Sequence, residues 1–335
     1  MNNFDFADFI RMTFVNRLLF LILLSPAALF GASLDSLISI DNFGNNPGNL
    51  KMFVYNESSD SISNTALVIV LHGCGQTAKG VAALTGWNKL ARLNHFMLIY
   101  PEQKFLNNPD LCFNWFNEND ISKGKGECES IYQMVQYVCA NYKIDRNRIF
   151  ISGLSAGAAM SVALMSTHPE LWKCGAVFAG TAYKLAGNPL AAPMVMHGKK
   201  NLSADILVKK VRDENPDFNG SYPSLIIYQG LKDALVNPVN AKYLIRQWTG
   251  IHNCDTIPDK TDSSFASVPG MTRMEFHDGN NKPVVIYYEV NNLRHKLMVK
   301  PGDEKNEGGQ AGFWSADFNF HSTFQTALDF GIIEE

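Results

Sequence analysis

Gly153-Leu154-Ser155-Ala156-Gly157 is the only G-x-S-x-G in the chain, and it lies inside RIFISGLSAGAAM. An apolar, β-rich run leads into it and a run of small residues, AGAAMSVALM, leads away. In such a strand–turn–helix the serine sits on a strained elbow with its hydroxyl exposed. The flanking glycines are needed because the turn leaves no room for Cβ atoms. The helix N-terminus behind the serine favours developing negative charge. A serine hydroxyl is a weak nucleophile until a base takes its proton. A carboxylate and a histidine must therefore follow it, in the order Ser, Asp or Glu, His.

Asp233 lies in QGLKDALVNPVNAKYL, in the loop between the apolar run SLIIY and a helix expected from about Pro238. It would stand at the C-terminal edge of a parallel sheet, where active sites of such folds form. Asp255, Asp259 and Asp262 fall in a long polar stretch and read as solvated surface. Among the eight histidines, His95, His168 and His197 come before Asp233, and His252 and His277 before the last strand. His295, in NNLRHKLMV, lies in a loop after that strand and is the expected base. His321, opening a C-terminal helix, is the alternative.

The stretch VLHGCGQTAKG offers a second clue. It lacks G-x-x-x-x-G-K-[ST], since Lys79 precedes Gly80, and it lacks G-x-G-x-x-G, since position 78 is alanine. A phosphate cradle is therefore not supported. An acyl-transfer site built on Ser155 needs a second N–H from a loop after an earlier strand. Cys74 in HGCG would supply it, with Ala156, the residue after the nucleophile, as the other donor. Each donor of this kind is worth about 3 kcal/mol of transition-state stabilisation.

These residues need a scaffold. Strands are expected at 50–55, 66–71, 96–100, 148–152, 174–179, 224–228 and 284–290, alternating with helices near 80–93, 127–141, 156–167, 238–249 and 321–331. Continuous apolar strands separated by helices imply an α/β fold with a mostly parallel central sheet and helices on both faces. Residues 181–222 interrupt the alternation as a lid or insertion. Residues 253–283 read as an extended surface loop or hairpin. Trp115, between Phe113 and Phe116, is a candidate for the substrate groove, or else a core tryptophan.

Composition narrows the class. The 335 residues are 46% hydrophobic and 18% charged, enough for a large core, and the formal net charge is −3 with no basic stripe. Nucleic-acid binding is disfavoured. Arg11 and Arg17 precede an apolar run that is broken by Pro26 and ends on small residues near Gly31 to Ser33. That is the layout of a signal peptide over residues 1–32. The run is short for a bilayer span, so stable membrane insertion is not expected. Export to the periplasm or the extracellular space makes disulfides durable. The six cysteines, Cys74, Cys112, Cys128, Cys139, Cys174 and Cys254, allow 15 pairings. Cys128 with Cys139 is disfavoured, because eleven helical residues span about 16 Å. Neither a metal site nor a cofactor is expected.

Taken together, LHGCGQTA, YPEQ, CFNWF, GLSAGAAM, QGLKDALV and HKLMVKPGDEKNEGGQAG resemble, in order, the poly(3-hydroxybutyrate) depolymerase family of α/β-hydrolases, which includes feruloyl and acetylxylan esterases. The resemblance covers roughly residues 50–331. It implies a single α/β-hydrolase catalytic domain over residues 33–335. It also implies Ser155 as nucleophile, Asp233 as orienting acid, His295 as base, an oxyanion hole at Cys74 and Ala156, and a Cys74–Cys112 disulfide. The implied activity is ester hydrolysis, of poly- or oligo(3-hydroxybutyrate) first and of feruloyl or acetylxylan esters second. A binding protein on the same scaffold is a third reading. The chain departs from the family at Arg294 and Lys296, where members often carry glycine and a small residue. Many polymer depolymerases add a linker and a separate substrate-binding domain, which is not expected here.

Overall fold

A computed structural model describes residues 37–56 and 65–334; the expected signal peptide lies outside them. In chain order the elements are β1 (Ile38–Ile40), β2 (Lys51–Tyr55), β3 (Thr65–Leu71), α1 (Ala78–Thr85), α2 (Trp87–Asn94), β4 (Met97–Glu102), α3 (Glu118–Ile121), α4 (Gly126–Asn141), β5 (Ile144–Leu154) and α5 (Ala156–Thr167). They continue with β6 (Cys174–Phe178), α6 (Ala192–Met196), α7 (Ala204–Arg212), β7 (Ser224–Gly230) and α8 (Val239–Ile251). The last are β8 (Lys260–Asp262), β9 (Met271–His277), β10 (Pro283–Val290), β11 (Leu297–Val299), β12 (Ser315–Asp317) and α9 (Ser322–Asp329).

Among the described residues ten strands form one sheet, ordered β1-β2-β4-β3-β5-β6-β7-β10-β9-β8. Its centre, from β4 to β10, is parallel, and both ends are antiparallel. Every residue of β3 and β6 is buried, as expected where helices cover both faces. Alternate side chains divide the core. Leu67, Ile69, Ile149, Ile151 and Leu225 pack beneath α4, α5, α7 and α8. Val68, Val70, Phe150 and Tyr228 pack beneath α1, α2 and α9. This is the α/β-hydrolase architecture expected from the alternation of strands and helices.

Three stretches differ in detail from the expectation. The helix expected near 80–93 is two helices, because Gly86 takes φ 74° and a Cβ there would meet Gly309 N at 2.5 Å. Residues 253–283 contain β8 and β9, and β9 extends the sheet antiparallel to β10. Residues 181–222 form a helical excursion tied to the body. Tyr183 Oη donates to Ile121 O (2.7 Å) and Asn215 Nδ2 donates to Ser166 O (2.7 Å), while Lys184 pairs with Glu214 within the excursion.

Candidate active site

β5 runs buried from Ile149 onward and ends at Leu154, directly before Ser155. Ser155 has φ 57° and ψ −117°, a conformation a non-glycine residue keeps only where its surroundings enforce it. The surroundings are tight. A Cβ on Gly153 would lie 2.3 Å from Gly157 O, and one on Gly157 would lie 2.5 Å from both Leu71 O and His72 O. The absence of those carbons brings the start of α5 against the end of β3. Every residue of α5 is buried, and its small side chains allow that approach.

β3 feeds the HGCG loop. The Cys74–Cys112 disulfide ties this loop to the CFNWF segment, and Gly75 N–H donates to Asp110 O at 2.8 Å. Gln76 Oε1 accepts the Gly73 N–H (2.7 Å). The main-chain N–H groups of Cys74 and Ala156 have no protein acceptor among the described residues. A small cavity of about 40 Å³ opens between them, lined by Cys74, Trp115, Ser155, Ala156, Thr181, Met196 and Val236 among others. The remaining cysteines, Cys128, Cys139, Cys174 and Cys254, are free thiols.

β7 delivers the carboxylate. Asp233 Oδ1 accepts the N–H groups of Leu235 (2.9 Å) and Val236 (2.8 Å), which fixes the carboxylate plane. Its Oδ2 takes a hydrogen bond of 2.7 Å from His295 Nδ1. Both residues are buried. The loop after β10 reaches them because Gly230 has no side chain: a Cβ there would stand 2.2 Å from Leu293 O. With Nδ1 as the donor to Asp233, the neutral ring presents Nε2 as its proton acceptor. Among the described residues Ser155 Oγ has no protein hydrogen bond, and His295 is not among the residues lining the cavity. The cavity meets the Asp233–His295 pair through Val236. Hydrogen bonds of this kind commonly tighten only in the substrate complex.

The unusual neighbours of His295 have structural explanations. Arg294 is exposed. Lys296 Nζ donates to Gly312 O (2.9 Å) and Ser315 O (3.3 Å), holding the turn that sets Trp314 edge-on to His295 at 5.8 Å. His321 serves elsewhere. Its Nε2 donates to Thr85 O (2.9 Å), joining the start of α9 to the end of α1, and burial lowers its pKa to about 4. Trp115 is half-buried, lines the cavity and stands edge-to-face with Phe116 at 5.6 Å.

The sequence reading missed a buried polar layer beneath the HGCG loop. His72 Nδ1–H donates to Gly73 O (2.7 Å), and His72 Nε2 accepts the Gln103 N–H (3.1 Å). Burial lowers the His72 pKa to about 4, so the ring is neutral. Glu127 is fully buried under the CFNWF segment. Burial, and then the Asp120 charge, raise its pKa to about 8 against the donors around it. The only sequence signal was the position of His72, directly before the glycines. Nothing marked Glu127 as more than an acidic helix start.

Comparison with known proteins bears on the whole arrangement. Residues 50–276 match the family model described as Esterase PHB depolymerase. The chain is 36% identical over 306 residues to a poly(3-hydroxyalkanoate) depolymerase C of Paucimonas lemoignei, covering 91% of this chain and 72% of the relative. It is 29% identical over 248 residues to an acetylxylan esterase of Coprinopsis cinerea, covering 72% of this chain and 65% of the relative. Among solved structures, an acetyl xylan esterase from Aspergillus awamori superposes with a TM-score of 0.70 at 23% identity, over 78% of this chain and 94% of that one, which supports the fold. Sequence and architecture agree: the chain belongs to the PHB depolymerase family of carboxylic ester hydrolases.

Proposed function

We propose that this chain is a secreted serine ester hydrolase acting on poly- or oligo(3-hydroxybutyrate), with its catalytic domain spanning residues 33–335. His295 takes the Ser155 proton as Oγ attacks the ester carbonyl. Asp233 holds the imidazole in the required tautomer and stabilises the imidazolium. The Cys74 and Ala156 N–H groups hold the oxyanion. The protonated His295 then gives its proton to the leaving alkoxide oxygen. Water, deprotonated by the same ring, hydrolyses the acyl-enzyme and releases the acid. No step draws on a cofactor.

The observation that carries this reading is the buried Asp233–His295 hydrogen bond beside a cavity that Ser155, Cys74 and Ala156 line together. The depolymerase relative supports the polyester, and the Cys74–Cys112 disulfide suits an exported protein. The test is clearing of an amorphous poly(3-hydroxybutyrate) suspension beside release of ferulate and of acetate from plant cell-wall material. Clearing of the polyester with little ferulate or acetate is expected; the reverse pattern would reassign the substrate.

A further inference from the structure

Between β4 and α3, residues 103–117 contain no helix or strand, yet they carry Cys112 and Trp115. Such a segment must be held by side chains, because it has no ladder of its own. One buried group makes three of the bonds that hold it. Glu127 Oε1 accepts from Gln103 Nε2 and from Asn114 Nδ2 (2.8 Å), and its Oε2 accepts the Asn114 N–H (2.8 Å). The carboxyl is fully buried, and each hydrogen-bonding partner is a donor.

Both partners lead to the acyl-transfer site. The Gln103 N–H donates to His72 Nε2 (3.1 Å), whose Nδ1–H donates to the carbonyl of Gly73 (2.7 Å), immediately before Cys74. Gln103 Nε2 also reaches Cys112 O (3.0 Å), and Cys112 is bonded to Cys74. Asn114 immediately precedes Trp115, which lines the cavity.

We propose that Glu127 is a positioning residue for ester cleavage: one buried carboxyl sets the Cys74 amide and the Trp115 ring relative to Ser155. The inference deepens the esterase reading above and rests on it. Glu127→Gln keeps the shape but puts an N–H₂ group, which only donates, where a carboxyl oxygen can accept whether the group is protonated or ionised. The loop must then shift, and oxyanion contacts lose strength steeply with small displacements.

The test compares parent and Glu127→Gln on a short-chain nitrophenyl ester, with the folded fraction measured by near-UV circular dichroism. The expected result is kcat lower by about 10- to 100-fold with KM within about threefold. Affinity for a trifluoromethyl ketone, which mimics the oxyanion, should fall by a similar factor, while affinity for the product acid stays level. A folded variant that only melts at lower temperature, with kcat and ketone affinity intact, would overturn the proposal. If Glu127→Gln does not fold, Gln103→Met carries the same measurements, and full kcat there would overturn it equally. A parent protein that hydrolyses no ester would sink the esterase reading itself and this inference with it, an outcome distinct from an active parent with an indifferent variant.

Discussion

Ser155, Asp233 and His295 are separated by long stretches of chain, and at the residue scale their arrangement makes a sharp expectation. Ser155→Ala and His295→Ala should each lower kcat by about 10⁴- to 10⁶-fold, and the double variant should be little worse, because residues acting as one unit are not additive. Additive losses in steady-state kinetics on a nitrophenyl ester would contradict this. Three other histidines tie stability to pH. His72, His168 and His321 are neutral in the fold, each lowered by burial from 6.5 to about 4. The unfolded chain binds their protons first, so the stability they protect is complete above pH 6.5 and lost as pH falls toward 4. The urea midpoint should drop across that interval; a flat profile would refute the assignment. Glu127 acts with the opposite sign. Its carboxyl, raised from 4.5 to about 8, contributes stability that is present below pH 4.5 and lost as pH rises through 8. Glu127→Gln should remove that alkaline decline.

At the scale of elements, the contact between α5 and β3 aligns the two candidate oxyanion donors. Gly157→Ala would drive a methyl group to 2.5 Å from Leu71 O and His72 O. Overpacking of this kind costs about 1–3 kcal/mol, and kcat should fall with it because the Ala156 amide moves away from the Cys74 loop. The thermal melt and kcat of the same preparation check both parts. The Cys74–Cys112 bridge closes a loop with a sequence separation of 38, so its loss through Cys112→Ser should cost about 4 kcal/mol on loop-closure grounds. Much of this level was legible beforehand. The central strands announced themselves because a strand buried on both faces must be apolar throughout, and the elbow did so because only glycine fits beside Ser155. Less legible was the break at Gly86, since it depends on Gly309, a residue far along the chain. The β8–β9 extension was hidden because edge strands can be polar: all three residues of β8 are exposed. The layer of His72, Gln103 and Glu127 left no periodic trace, because its partners meet only after folding.

At the scale of the whole molecule, the parallel strands β3, β5, β7 and β10 end at one edge of the sheet, and the four loops there carry the proposed nucleophile, the two candidate oxyanion amides and the proposed acid and base. The excursion over residues 181–222 adds Met196 and Thr181 to the cavity wall without loosening the body, since its helices pack on α8 and α5. The most direct measurement is labelling with a fluorophosphonate probe, followed by mass mapping of the modified peptide, on the parent, Ser155→Ala, His295→Ala and His321→Ala proteins. A single adduct on Ser155 is expected in the parent and in His321→Ala, with none in Ser155→Ala and labelling slowed by at least about 10³-fold in His295→Ala. An adduct on another residue, or full-rate labelling of His295→Ala alongside a silent His321→Ala, would contradict the account.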